Sequence, residues 1–327
     1  MKFWKITAPN TMVLGTSNAE IDDSSAKIKI TKTAISSSDL AIYLGKAETA
    51  YPIVPCRIAA GLISEAPASS GLKKGERVVL SPYIKPSGHN LEEIKYMGFH
   101  KDGYLGNYVI APLEKVFPLP EGITDEQAVF AEYIALAINA VSTLAIESRE
   151  YLAIVGANPL GLMLGQLANY YHIIPIIIDK SEEKLALAAS YGITYCVNGE
   201  KQEPQQKVLE ITGGKMADCT IFEGRSGQNA QLAFNLTAER GRVGIIGYNS
   251  TIAKMSADIR TILYKQLKVF GINNGCKEFS AAINLLANSV ITIDGIVSGT
   301  GEFDTASDFF KKAVEEGDKN LKLLIDC

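Results

Sequence analysis

An apolar run that ends in glycine and turns at once into a helix restricts this chain more than any other feature. Residues 151–156 read Tyr-Leu-Ala-Ile-Val-Gly, and the full turn is Gly156-Ala157-Asn158-Pro159-Leu160-Gly161. Such a run suits a buried strand. Gly156 permits the tight turn, Pro159 suits a first helical position, and Gly161 lets helix and sheet approach closely. A helix starting there aims N–H groups and a positive dipole end above the turn, which suits a pyrophosphate. Asn158 stands where G-x-G-x-x-G has its middle glycine. Asn tolerates left-handed backbone, but its side chain narrows the approach to the phosphates. Asp179 closes the next apolar strand, eighteen residues beyond Gly161. A carboxylate there accepts hydrogen bonds from ribose hydroxyls and repels a 2′-phosphate, favouring NAD(H) over NADP(H), while Lys180 works against that. The competing reading is a structural βαβ turn with a strand-end Asp.

The rest of the chain is organised around this motif. Residues 1 to about 135 are β-rich, with period-two alternation in Lys27-Ile28-Lys29-Ile30 and short β-branched runs at 76–80 and 107–110. Residues 81–102 read as a loop. Residues 125–144, almost free of charge, read as one buried helix. Beyond them strands and helices alternate through Gly247, which means a parallel, doubly wound sheet. A helix at 279–286, the run Ile291-Thr292-Ile293 and a last helix at 305–316 follow.

Composition removes whole classes of function. The net charge of −4 gives no general basic field for nucleic acid. The longest apolar stretches, such as 173–178, are far short of the ~18 residues of a membrane span, and the N-terminus carries no secretory signal, so a cytoplasmic protein is expected. Three His (His89, His100, His172) and five scattered Cys without a C-x-x-C pair make neither a disulfide framework nor a zinc knuckle.

Six segments in order then carry a family resemblance: residues 34–40, 72–78, 102–108 and 132–137, the Gly156 turn, and 241–247. Together they resemble the medium-chain dehydrogenase/reductase superfamily, nearest its polyol and threonine dehydrogenase branch, over nearly the whole chain. The resemblance implies an α/β protein with a GroES-like catalytic domain from both ends of the chain (1–139 and 272–327). A Rossmann dinucleotide-binding domain (140–271) lies between. It places Gly247, Tyr248, Ile272 and Asn273 near a nicotinamide and Lys184 near the adenosine ribose. It also implies a homodimer or homotetramer, joined through an edge strand of the Rossmann sheet, for which 287–297 is the candidate.

The departures from the family bear on its metal. The zinc enzymes carry a ligand Cys where this chain has Ser36. Their Gly-His-Glu aligns with Cys56-Arg57-Ile58, so the ligand His becomes Arg57. Glu132 alone remains, at the third ligand or near it. The four Cys of the structural zinc lobe are missing from 82–100. No zinc is therefore expected at either place. Catalysis would fall to Ser38, Arg57 and Glu132. Ser38 keeps the hydroxyl that orients the substrate oxygen. Arg57 either stabilises an oxyanion or forms an inert ion pair with Glu132 or Asp39. His100, Tyr51, Tyr104 and Tyr248 are secondary acid or packing candidates. The expected activity is NAD(H)-dependent, zinc-independent hydride transfer involving a small polar carbonyl, alcohol or activated alkene. The alternative is a catalytically silent dehydrogenase-like protein that binds or senses NAD(H). No nucleic-acid or membrane partner is expected.

Overall fold

Alternation in the first third of the chain becomes sheet. In the computed structural model, β1 (Lys2–Ala8) and β2 (Thr11–Thr16) form a hairpin, and β3 (Ser25–Ile35) follows. The structure describes residues 1–84, 94–224, 227–247 and 257–327, with backbone alone for 227, 228 and 318. In β3, Ala26, Ile28 and Ile30 are fully buried while Lys29 is exposed, the one-face pattern that a period of two dictates. Next come α1 (Ser37–Tyr43), β4 (Ala59–Glu65), β5 (Arg77–Leu80), β6 (Tyr83–Ile84), β7 (Lys95–Tyr96), β8 (Tyr108–Pro112), β9 (Val116–Pro118) and α2 (Asp125–Ala128). The stretch 81–102 is more than a loop, since Tyr83 pairs with Tyr96 and Ile84 with Lys95. His89 lies outside the described residues.

The single helix expected at 125–144 is two. After α2 the chain turns at Val129–Phe130, which sinks Phe130 fully into the core, and α3 (Ala131–Thr143) starts anew. A capping box from Thr124 begins α2, and Asp125 is held by Arg77 and by the Thr31 hydroxyl, so α2 is fixed to the sheet before α3 begins.

The α/β alternation then runs β10 (Tyr151–Val155), α4 (Pro159–Tyr170), β11 (Ile174–Asp179), α5 (Glu182–Ser190), β12 (Tyr195–Asn198), α6 (Pro204–Ile211), β13 (Ala217–Glu223), α7 (Gly227–Leu236), β14 (Thr237–Ile246), α8 (Ile259–Lys265) and β15 (Lys268–Ile272). All six strands are parallel, in the order β12-β11-β10-β13-β14-β15. Written by strand of the sheet this is 3-2-1-4-5-6, the doubly wound dinucleotide order, and the direction of winding reverses between β10 and β13.

The chain returns to the first sheet through α9 (Phe279–Ala287), β16 (Val297–Glu302), α10 (Ala306–Glu316) and β17 (Lys322–Asp326). That sheet reads β16-β17-β3-β4-β5-β9, with β8 also on β3. Two compact units result: Met1–Glu132 with Phe279–Asn288 and Ile293–Cys327, and Tyr133–Glu278 with Ser289–Thr292. Residues 133–139 and 272–278 thus go with the parallel sheet, where Gly275 packs on the Ala135 backbone so closely that a Cβ would stand 2.3 Å from it.

The stretch 287–297 is not an edge strand of the parallel sheet. Ala287 ends α9, and turns led by left-handed Ser289 (φ 52) and Gly295 (φ 81) carry the chain to β16, in the other sheet. The edges of the parallel sheet are β12 and β15.

The Gly turn is held by contact distance. Gly156 sits at φ 114, which side chains with a Cβ rarely adopt, and a Cβ on Gly161 would stand 2.0 Å from the Gly156 carbonyl oxygen. Gly161→Ala is therefore expected to cost about 1–3 kcal/mol by overpacking, read as a Tm several degrees lower. An unchanged melting curve would show that the turn has room to relax.

Candidate active site

In the β-rich unit a non-glycine strain point presents the first group of side chains. Cys56 holds φ 67, immediately before Arg57. The 54–57 loop is clamped from several sides. Val54 N–H donates to Asp102 (2.8 Å), Gly103 N–H to the Val54 carbonyl (2.7 Å) and Tyr104 N–H to the Cys56 carbonyl (2.7 Å). Gly103 has to be glycine here, since its Cβ would lie 2.4 Å from the Cys56 carbonyl oxygen. Asp39 completes the clamp by accepting the Cys56 N–H at 2.8 Å. Surroundings that over-determine a loop in this way can keep one residue in an unfavourable conformation. Burial, with Asp39 close by, holds the Cys56 thiol well above the usual range, so it is no thiolate nucleophile.

Arg57 and Glu132 meet. Arg57 Nε donates to Glu132 Oε2 at 2.9 Å, with both side chains almost wholly buried, and the guanidinium lies 5.7 Å from the Tyr96 ring centre. Of the two partners open to Arg57, the structure selects Glu132. Asp39 is engaged elsewhere: its carboxylate accepts the Ser36 N–H, the Ser36 hydroxyl and the Cys56 N–H. The other oxygen of Glu132, Oε1, is buried without a hydrogen-bond partner. Buried carboxylate oxygens are rarely left so.

Ser38 lies beside Ser36, with the hydroxyl oxygens 2.8 Å apart, and both are buried. Ser36 is the N-cap of α1 and shares a capping box with Asp39. Its proton goes to Asp39, so Ser38 donates to Ser36 and turns its lone pairs elsewhere. The secondary candidates among the described residues are bonded to backbone groups. His100 Nδ1 accepts the Tyr96 N–H at 3.0 Å. The Tyr51 hydroxyl donates to the Ile42 carbonyl and the Tyr104 hydroxyl to that of Ser81. His172 ends the turn after α4 at φ 58.

In the parallel-sheet unit the turn residues stand where the motif implied. Asn158 is the N-cap of α4 and accepts the Gly161 N–H at 3.0 Å, with Pro159 and Leu160 in the first turn. Asp179 is drawn back toward the turn. One carboxylate oxygen accepts the Ala157 N–H (2.7 Å) and the other the Ser181 N–H (2.9 Å). Lys184 lies in the first turn of α5, its N–H on the Ser181 hydroxyl. Gly247 N–H donates to the Ile272 carbonyl at 3.2 Å, and Asn273 Oδ1 accepts from Asn274. Tyr248 lies outside the described residues.

One residue of this site has no counterpart in the sequence reading. Glu223 ends β13, and its Oε2 accepts from Asn158 Nδ2 at 2.8 Å. No motif marks it; the signal that could have found it is topological, because β13 is the strand beside β10.

The donor set decides the fit of a metal. A guanidinium has no lone pair to give, and Ser36 commits its hydroxyl to Asp39, so Ser36, Arg57 and Glu132 do not make the three-ligand set that a catalytic zinc needs. Among the described residues, no group of three or more His, Cys, Asp or Glu is placed to hold a metal ion.

Comparison with known proteins agrees with the topology. The family described as alcohol dehydrogenase GroES-like domain matches residues 22–121, and that described as zinc-binding dehydrogenase matches 159–288. This chain belongs to the medium-chain dehydrogenase/reductase superfamily. Among its relatives, the L-threonine 3-dehydrogenase of Pyrococcus furiosus is 28% identical, over 74% of either chain. A protein from Sinorhizobium meliloti 1021 described as a zinc-binding dehydrogenase, solved bound to NADP, superposes with a TM-score of 0.91 at 20% identity, covering 100% of this chain and 99% of that one. An alcohol dehydrogenase from Escherichia coli CFT073, solved with NADH, gives 0.88 at 22% identity and the same coverage. These structural likenesses establish the shared fold.

Breaking the Arg57–Glu132 pair from one side leaves a buried charge alone. Arg57→Ala is expected to cost about 3–5 kcal/mol, whereas Arg57→Met with Glu132→Leu is expected to recover most of it. Urea unfolding of the three proteins checks this. A small loss in Arg57→Ala would mean that the pair is solvated in solution.

Proposed function

We propose that the protein is an NAD(H)-dependent, zinc-independent oxidoreductase acting on a small polar carbonyl, alcohol or activated alkene. The observation that carries this reading is the buried Arg57–Glu132 pair; by the family resemblance Arg57 takes the place of the ligand His, and Glu132 that of the third ligand or a near neighbour. An alcohol dehydrogenase-like oxidoreductase is what the family supports; metal-free chemistry and the choice of NAD(H) are our reading of this chain.

The nicotinamide supplies or accepts the hydride. The chain's own residues handle the substrate oxygen. Arg57 places a fixed positive charge in a dry site, where it stabilises an oxyanion without moving a proton, as a metal otherwise would. Glu132 holds the guanidinium plane through Oε2. Its Oε1 is the acceptor kept for a substrate hydroxyl. Ser38, donating to Ser36, offers its oxygen to a second substrate hydroxyl. Asp179 next to the Gly turn favours NAD(H), since a 2′-phosphate would meet its charge. A homodimer or homotetramer is the assembly that the family suggests. The second reading, a silent NAD(H) binder, draws on Asn158 in place of the motif's middle glycine and on the missing zinc ligands.

Two measurements test the proposal. NADH is expected to bind at least about tenfold tighter than NADPH, as judged by cofactor fluorescence; the reverse order would contradict the role of Asp179. With a panel of ketones, hydroxyketones and enones, Arg57→Lys keeps the charge but loses the planar fork. It is expected to lower kcat/KM about 100-fold with NADH binding unchanged. Equal turnover in both proteins would remove Arg57 from the chemistry, and no turnover by the wild type would favour the silent binder.

A further inference from the structure

In a doubly wound sheet the ligand crevice opens where the winding reverses, at the carboxyl ends of the two strands that flank the switch. Here those strands are β10 and β13. Asn158 follows β10 and Glu223 ends β13, so their 2.8 Å hydrogen bond runs across the crevice. The cavity ringed by Gly156, Asn158, Leu160, Gly161, Glu223 and Ile246 measures about 10 Å³, room for roughly one water molecule.

Three backbone donors of the turn are used in the same manner. Gly156 N–H goes to the Ile178 carbonyl, Ala157 N–H to Asp179 and Gly161 N–H to Asn158, and Pro159 has none. The carboxylates of Asp179 and Glu223 both stand at this turn, the one on its backbone and the other on Asn158 Nδ2. A pyrophosphate brings two further negative charges, and like charges a few ångströms apart in a partly dry crevice repel strongly.

We propose that Asn158 and Glu223 form a latch across the cofactor crevice, which the dinucleotide's pyrophosphate has to open in order to bind. The latch sets cofactor affinity from within the chain: each binding event breaks the Asn158–Glu223 bond and moves the Glu223 carboxylate away from the turn. The cap that Asn158 Oδ1 gives to Gly161 is a separate function of the same side chain, so the two can be parted by substitution. This inference rests on the dinucleotide reading given above.

The test is NADH titration by fluorescence on wild type, Asn158→Gly, Asn158→Ser and Glu223→Gln. Gly removes latch and cap at little cost, Ser keeps a capping oxygen but loses the amide, and Gln keeps a bonding partner but loses the charge. NADH is expected to bind at least about tenfold tighter to Asn158→Gly and Asn158→Ser, and about threefold tighter to Glu223→Gln, a tenfold gain being 1.4 kcal/mol. Adenosine, which has no phosphate, is expected to gain nothing from any of them. Wild-type binding that is unchanged or weakened in both Asn158 variants would overturn the latch and make Asn158 a phosphate donor or a bystander. Equal gains for NADH and adenosine would overturn it as well, because the crevice would then only have been widened. No NADH binding by any of the four proteins would overturn the dinucleotide reading itself, and the latch with it.

Discussion

A guanidinium and a carboxylate buried against each other set the terms for the β-rich unit. Neither Arg57 nor Glu132 can lose its partner without leaving a charge in a dry interior, so the two must be placed together. The chain spends backbone strain at Cys56, the carboxylates of Asp39 and Asp102, and a glycine at 103 to hold Arg57 in register. Hydrophobic residues of similar volume would fill the space at no electrostatic cost, so stability alone does not call for the pair. One carboxylate oxygen left without a partner is the complementary sign.

In the parallel-sheet unit the constraint is steric. Gly156 and Gly161 permit a turn so tight that the helix rests on the strand-end carbonyl, and this brings the N-terminus of α4 to the switch point. What the turn offers a ligand is then decided by side chains. Asp179, Asn158 and Glu223 reach the turn and take or face its donors. The fold thus supplies a general cradle, and in the proposed latch three residues of this chain set how readily it accepts phosphate.

The sequence made some of this legible for physical reasons. The Gly156 turn could be read because positive φ and the close approach at Gly161 are local demands that only glycine meets. Strands with one buried face, such as β3, declare themselves by their period. The Arg57–Glu132 contact spans 75 residues, and only the cost of an unpaired buried carboxylate pointed to it. Asp39 is the alternative partner that the fold removes, since its carboxylate accepts the Ser36 N–H, the Ser36 hydroxyl and the Cys56 N–H. Glu223 was missed because nothing local distinguishes a strand-end Glu; its importance comes from lying on the strand next to β10. Apolar alternation at 287–297 misled, since two left-handed residues turn the backbone before a strand can form.

The proposed function has fixed side-chain charge standing where the family resemblance puts a catalytic metal. Metal analysis of the protein, expressed with added zinc and then exhaustively dialysed, tests it most directly. Less than about 0.1 zinc per chain is predicted, because the described residues hold no set of three ligands to retain it. About one zinc per chain, lost together with activity on treatment with a chelator, would contradict it.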